Sequence, residues 1–374
     1  MQFIDLKAQY AELKDEIDTR MLSVLERAAF IQGPEVKELE AALSDFCGAK
    51  RAITCANGTD ALQLALMALD IGQGDAVFVP SFTYTATAEV ILLLGAQPIF
   101  VEVDAETFNV DFDHAEAMIK QVRDAGKYKP RVLMTVDLFG QPVDYDRARS
   151  LADTYGLHFI SDAAQGFGGD YKGRRVGSGI ADITTTSFFP AKPLGCYGDG
   201  GAVFTDNDEV ADVIRSICLH GKGDAKYDVV RVGVNSRLDT VQAAVLLPKL
   251  AAFAGELEKR HQVALAYSRR LGNRVKTPLL PEEGQRFAWA QYTLKVEDRD
   301  TVQARLKDAD VPSAVYYPRP MHLQPAYLPY GGGAGSLPVS ERLSQEVLSL
   351  PMHPYLTEQE VDTVCDAVLA TVPA

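Results

Sequence analysis

The chain has 374 residues, 47% of them apolar, and a formal net charge of −14. That length accommodates one large domain and a smaller one, and so acidic a balance argues against a nucleic-acid or anionic-membrane partner. Five scattered cysteines (Cys47, Cys55, Cys196, Cys218 and Cys365) are odd in number and lack metal-ligand spacing, so they read as reduced thiols with neither a disulfide framework nor a metal site.

The start, Met1 to Lys7, lacks the basic head and apolar core of a leader, and no apolar run reads as long enough to span a bilayer. The expectation is a cytoplasmic protein. Residues 14–31 form a first amphipathic helix with Ile17, Met21, Val24 and Leu25 on one side. Pro34 opens a second, with Val36, Leu39, Leu43 and Phe46 at helical spacing and Gly48 closing it. The pattern then alternates. Strands are expected at 52–56, 76–79, 98–103, 132–136, 157–160, 183–188 and 201–205, with helices through Leu69, at 83–94 and at 145–155. Continuous apolar strands between helices predict an α/β fold, a mostly parallel doubly wound sheet covered on both faces, with ligands at the carboxyl ends of its strands. A long helix follows at 240–271, bent at Pro248. A strand at 292–296, a helix at 301–308, a strand at 313–316, a flexible glycine-rich loop at 331–336 and a closing helix at 358–370 suggest a smaller α+β unit. The expected division is a large domain over 1–250, including the N-terminal helices, and a small domain over 251–374.

Five stretches carry polar side chains suited to a site. Asn57-Gly58-Thr59-Asp60 reads as a helix cap, or as a phosphate cradle of free N–H groups, helix dipole and the Thr59 hydroxyl. In Ser81-Phe82-Thr83-Tyr84, Tyr84 is either core or a ring stacked on a flat cofactor. In Ser161-Asp162-Ala163-Ala164-Gln165, a carboxylate at the end of a buried strand needs a cation, and a protonated pyridine nitrogen would serve. Gln165 would then reach a ring oxygen; the alternative is a capping aspartate and a surface glutamine. Lys192 follows an apolar strand, is fenced by Pro190 and Pro193, and runs into the glycine turn Gly198 to Gly201. Dry surroundings disfavour its ammonium form and free the amine that a Schiff-base lysine needs, whereas an ordinary loop lysine would snorkel to water. Asn235-Ser236-Arg237, after a polar loop from Gly221 to Asp228, offers donors for phosphate or carboxylate, or a cap and a surface ion pair. In this order the stretches supply what pyridoxal 5′-phosphate requires: a phosphate grip, a stacking ring, a partner for the pyridine nitrogen and an amine.

On Ala56-Asn57-Gly58-Thr59-Asp60-Ala61-Leu62, Asp162-Ala163-Ala164-Gln165 and Lys192-Pro193-Leu194-Gly195, the chain resembles the DegT/DnrJ/EryC1/StrS group of sugar aminotransferases, which are fold-type I pyridoxal-phosphate enzymes. The likeness runs from Phe3 to Pro354. It implies that Lys192 bonds the cofactor and moves protons, that Asp162 pairs with the pyridine nitrogen and Gln165 with the phenolic oxygen, that Tyr84 stacks on the ring, and that Gly58, Thr59 and Ser187 hold the phosphate. It further implies a homodimer with shared sites, in which the neighbour's Asn235 reaches the phosphate and its Arg237, with Arg231, faces the sugar. Tyr316-Tyr317-Pro318 stands where members often carry His-Tyr-Pro near the sugar-nucleotide pocket. The implied reaction passes an amino group from glutamate to a keto-sugar nucleotide, most specifically UDP-2-acetamido-2-deoxy-3-oxo-D-glucuronate, for bacterial O-antigen or lipopolysaccharide synthesis. A 3-keto or 4-keto deoxysugar nucleotide, dTDP- or UDP-linked, is the alternative substrate. A non-catalytic cofactor-bound sensor is the alternative class.

Overall fold

Strands with no polar alternation must be covered on both sides, and that requirement shapes the centre of this molecule. The computed structural model describes residues 1–372 apart from Lys226. The first half contains α1 (Leu6–Arg27), α2 (Pro34–Cys47), β1 (Arg51–Cys55), α3 (Gly58–Ala68), β2 (Asp75–Pro80), α4 (Ala86–Leu93), β3 (Gln97–Val101), α5 (Phe112–Ala125), β4 (Lys129–Val136), α6 (Tyr145–Tyr155) and β5 (His158–Asp162). Then come the short pair β6 (Asp170–Tyr171) and β7 (Arg174–Arg175), followed by β8 (Ile183–Ser187), β9 (Gly201–Thr205), α7 (Asp208–Cys218) and α8 (Thr240–Leu271). The chain closes with β10 (Tyr292–Lys295), α9 (Arg299–Asp308), α10 (Pro338–Glu346), β11 (Val347–Leu350) and α11 (Glu358–Thr371).

Seven strands form the main sheet in the order β1-β9-β8-β5-β4-β2-β3. The pairs β2–β3, β2–β4, β4–β5 and β5–β8 are parallel, while β9 runs antiparallel to both of its neighbours. The sheet is therefore mostly parallel, as its apolar strands require. Alternate residues face opposite sides. Val77 and Val79 of β2 pack with α3, α4 and α7, while Ala76 and Phe78 pack with α5 and α6. α2 and α8 cover β1 and β9 on their other face through Ala52, Ala202 and Phe204.

Register aligns the ends that matter. Asp162 lies opposite Thr185, and Gly201 lies opposite both Ser187 and Cys55. The carboxyl ends of β1, β5 and β8 thus meet the start of β9 along one edge.

α8 departs from the expectation that no segment is long and apolar enough to cross a bilayer. Among the described residues it is the one helix that meets that measure, yet 67% of its apolar window is buried in the fold. It is a core helix. Its first half, from Ala243 to Leu257, packs with the main sheet, and its last turns, from Val263 to Leu271, pack with β10, α9, β11 and α11. The helix continues through Pro248.

The strand expected at 313–316 does not form. Ala314 makes a single bridge to Ser349, and the flanking Pro312 and Pro318 have no N–H to extend a ladder. The glycine-rich loop is tied down rather than loose, with Gly335 N donating to Glu341 at 2.7 Å. All five cysteines are buried and unpaired.

Candidate active site

At the start of α3, Asn57 and not Thr59 supplies the cap, its Oδ1 accepting from Asp60 N at 2.7 Å. The backbone N–H groups of Gly58 and Thr59 are left at the positive end of the helix dipole. Two glycines are required here by close approach. A Cβ on Gly58 would lie 2.6 Å from Ser187 Cβ and 3.0 Å from its Oγ, and a Cβ on Gly201 would lie 2.4 Å from Asn57 O. The Ser187 hydroxyl is thereby set beside the N-terminus of α3. It accepts from Phe189 N at 3.2 Å.

Asp162 ends β5 and is 6% exposed. Its carboxylate accepts from Thr87 Oγ1 at 2.9 Å and from Ala164 N at 3.1 Å. Burial raises its pKa above the usual carboxylate value, opposed by Ala164 N, the Thr87 hydroxyl and the charge of Lys192. Lys192 keeps part of its surface open, yet it is so closely surrounded by protein that burial lowers its pKa, while Asp162 pulls it back up. The lysine is therefore held in dry surroundings, as its prolines and apolar flank lead one to expect, and within electrostatic reach of Asp162.

Gln165 is buried. Its Oε1 accepts from Phe139 N at 2.7 Å and its Nε2 donates to Tyr317 OH at 3.1 Å, which leaves one amide N–H for a ligand oxygen. Tyr84 is exposed, not core, with its ring 6.3 Å from that of Tyr317. Tyr316 is half-buried, 6.3 Å from the ring of Phe3. Tyr84, Gln165, Tyr317, Asp162 and Lys192 thus form one group along the sheet edge.

Asn235, Arg237 and Arg231 are not brought into that group within one chain. Asn235 is exposed, and its neighbour Ser236 accepts from Ala56 N at 3.2 Å. Arg237 lines a hollow of about 310 Å³ with Glu40, Thr54 and Arg215. Arg231 lines another of about 710 Å³ with Asp212, Lys222 and Asp228. Neither hollow includes Lys192 or Asp162.

Sequence reasoning missed the support behind Asp162. Tyr145 OH donates to Asp137 at 2.7 Å and lies 2.8 Å from Ser161 Oγ, and Asp137 N donates to Asp162 O at 3.0 Å. Thr87 was visible only as a hydroxyl on a mostly apolar helix that also carries Glu89. It also missed His322, fully buried, with Nδ1 2.6 Å from Ser81 Oγ and Nε2 3.1 Å from Glu341 Oε1. This clasp holds the segment after Tyr317 against the turn leading to Tyr84.

The donor set fits pyridoxal phosphate. A helix N-terminus beside a serine hydroxyl suits a dianion. A buried carboxylate whose nearby cation is Lys192 suits a pyridinium, because the neutralised lysine would leave it unpaired.

Comparison with known proteins agrees with this chemistry. Residues 11–369 match the model of the DegT/DnrJ/EryC1/StrS aminotransferase family. The chain is 48% identical to the UDP-2-acetamido-2-deoxy-3-oxo-D-glucuronate aminotransferase of Pseudomonas aeruginosa, across 98% of this chain and 99% of that protein. It superposes on a crystal structure of a DegT DnrJ EryC1 StrS aminotransferase from Brucella abortus with a TM-score of 0.97, at 48% identity and 99% coverage of both chains. A second structure, DesV of S. venezuelae in complex with a ketimine intermediate, matches with a TM-score of 0.93 at 38% identity, over 98% of this chain and 97% of that one. The chain belongs to the DegT/DnrJ/EryC1/StrS aminotransferase family, as a pyridoxal-phosphate-dependent sugar aminotransferase.

Proposed function

We propose that the protein transfers the amino group of glutamate to UDP-2-acetamido-2-deoxy-3-oxo-D-glucuronate, in the cytoplasm, for bacterial surface-polysaccharide synthesis of the O-antigen or lipopolysaccharide kind. The observation that carries this reading is the 48% identity, over nearly the full length of both chains, to the Pseudomonas enzyme of that name. Five unpaired, buried cysteines support a reducing compartment.

Bound pyridoxal phosphate supplies an electron sink that makes the Cα–H of the amino donor acidic. Lys192 would bond the cofactor at rest. Once released, its Nζ takes the proton from Cα of glutamate, and in the second half-reaction it delivers a proton to the carbon that becomes the amine-bearing carbon of the sugar. Asp162, oriented by Thr87 and Ala164 N, holds the ring nitrogen protonated. Gly58, Thr59 and Ser187 would hold the phosphate, Tyr84 would stack on the ring, and the free N–H of Gln165 would reach the phenolic oxygen. Tyr316 and Tyr317 border the sugar.

The assembly is a homodimer in which the neighbour's Asn235 meets the phosphate and its Arg237 and Arg231 meet the sugar carboxylate. Exposed Phe30, Ile31, Val229 and Val232 support such a face, since each is between 44% and 86% exposed in the single chain. The division into a large part (1–250) and a small part (251–374) is supported by the separate C-terminal core around Tyr267, Trp289 and Val364, which begins at Val263, while Phe253 and Leu257 still pack with the main sheet.

The test is a panel of keto-sugar nucleotides with glutamate, read by the mass change as carbonyl oxygen is replaced by amine. The uronate should be the best substrate, and Arg237→Ala should harm it more than any deoxysugar. Turnover of a dTDP-linked 4-keto deoxysugar with none of the uronate would overturn the assignment. Turnover retained by Lys192→Ala would overturn the mechanism.

A further inference from the structure

The loop that carries Lys192 leaves β8 at Phe188 and rejoins β9 after Gly200. Phe188 N donates to Gly200 O at 2.7 Å, Cys196 N to Phe188 O at 2.7 Å, and Lys192 N to Phe189 O at 2.8 Å. The fold-back is tight, since a Cβ on Gly195 would lie 2.5 Å from Pro190 O. These bonds close the base of the loop. Within the outer turn, Gly195 to Tyr197, they reach only Cys196, whose N and Sγ both donate to Phe188 O, and they leave Gly195 O and the backbone of Tyr197 to partners outside the loop.

The two ends of that turn are held from α8. Lys249 Nζ donates to Gly195 O at 2.6 Å and stands 4.2 Å from the centre of the Tyr197 ring. Gln242, two turns earlier on the same face of α8, accepts from Tyr197 N at 2.8 Å and donates to Tyr197 O at 3.2 Å. From α1, Tyr10 meets the Tyr197 ring edge-on at 6.1 Å. Lys249 is 1% exposed. Burial pushes its pKa down to about 8, against the pull of Glu256 and Cys196. A lysine so placed is costly, and an apolar residue of similar volume would ordinarily serve a helix core better. What distinguishes this position is the carbonyl it reaches, three residues beyond Lys192.

We propose that Lys249 is a positioning residue for Lys192: with Gln242 it fixes the turn from Gly195 to Tyr197, and through that turn it keeps the Lys192 amine aimed at Asp162. The proposal rests on the reading of Lys192 as the cofactor-bonding lysine, and the test separates the two.

The apoprotein is labelled with an amine-acylating reagent in competition with a free amine, and the Lys192 peptide is followed by mass spectrometry. In Lys249→Met, with circular dichroism unchanged, the labelling rate of Lys192 should shift several-fold while surface lysines label as before. In the holoenzyme, kcat should fall about tenfold or more with KM for glutamate within about twofold, as expected for misdirection of a reacting group. Unchanged Lys192 labelling together with unchanged kcat would overturn the proposal. Should Lys249→Met fail to fold, Gln242→Leu reads out the same turn through Tyr197 and carries the same expectations. Lys192→Ala tests the underlying reading on its own, because its turnover is independent of what happens to the labelling.

Discussion

Lys192 and Asp162 are each disfavoured as ions by burial, and each supports the ionised form of the other. On the proposed function the ring nitrogen would take over from the lysine as the partner of Asp162. Asp162→Asn removes that charge while keeping the shape. Its kcat at saturating cofactor should fall by about 10²–10³, the range typical for loss of one preorganised electrostatic contact; a variant as active as the parent would refute the role. Behind it, burial pushes Asp137 up to about 7, eased by Val143 N and the Tyr145 hydroxyl and reinforced by the Asp162 charge. A carboxyl whose folded pKa lies above its unfolded value binds more protons in the native state between the two values. Stability therefore falls as pH rises from the ordinary carboxylate range to about 7. Between pH 5 and 8, urea unfolding should show the parent losing about 3 kcal/mol relative to Asp137→Asn; equal slopes would contradict this origin. At this scale the sequence pointed to Lys192 and Asp162 as candidate reacting groups and concealed their supports. Thr87 meets Asp162 across 75 residues, and Lys249 meets the Lys192 loop across 54. A hydroxyl on an apolar helix, or a lysine in a long helix, has no local signature of its distant partner.

The elements divide in the same way. Apolar runs made β1, β2 and β9 legible within a residue, β8 emerged as a threonine-rich run within one residue, β4 was placed three residues short at its start, and Pro34 and Gly48 made the bounds of α2 legible. α5 and α7 escaped because their buried stripes are thin, being Phe112, Ala115, Ile119 and Val122 in one and Ala211, Ile214, Ile217 and Cys218 in the other. Each lies among charged residues that resemble loop. The reversal of β9 has no sequence signal, since strand direction is set by the connection and not by the residues in it. The start of α3 was read with two meanings, and the cap is formed by Asn57, while the close approach of Gly58 to Ser187 leaves the phosphate reading to experiment. A cap alone would tolerate alanine there, whereas here a Cβ would lie 2.6 Å from Ser187 Cβ on the sheet. Gly58→Ala should cost about 1–3 kcal/mol through that overlap. It should also lower the cofactor bound per chain, read from visible absorbance after dialysis, and full retention of cofactor would show that the cradle does not hold the phosphate.

At the scale of the whole molecule, the residues that remain outside the group are as informative as those within it. Asn235 and Arg237 do not line up with Lys192 in a single chain, so a shared site makes a definite prediction. Lys192→Ala and Arg237→Ala, each inactive on the uronate, should complement when mixed and reassembled. Half of the subunit pairings would be mixed, each with one intact site, giving about a quarter of the parental activity. No recovery after verified subunit exchange would mean that each site is built from one chain. The β1–β9 pairing carries a different consequence. Cys55 and Gly201 lie opposite one another although the whole succession from α3 to β8 separates them along the chain. Contacts of such high sequence separation close late, because the entropy of the intervening loop must be overcome first. The proposed phosphate cradle, at the start of α3 and Ser187, would span that closure. During refolding the cofactor's absorbance should thus grow only with the slowest phase that restores helical signal, and a nascent chain ending before Gly201 should bind none. Colour would then act as a clock for the completion of folding.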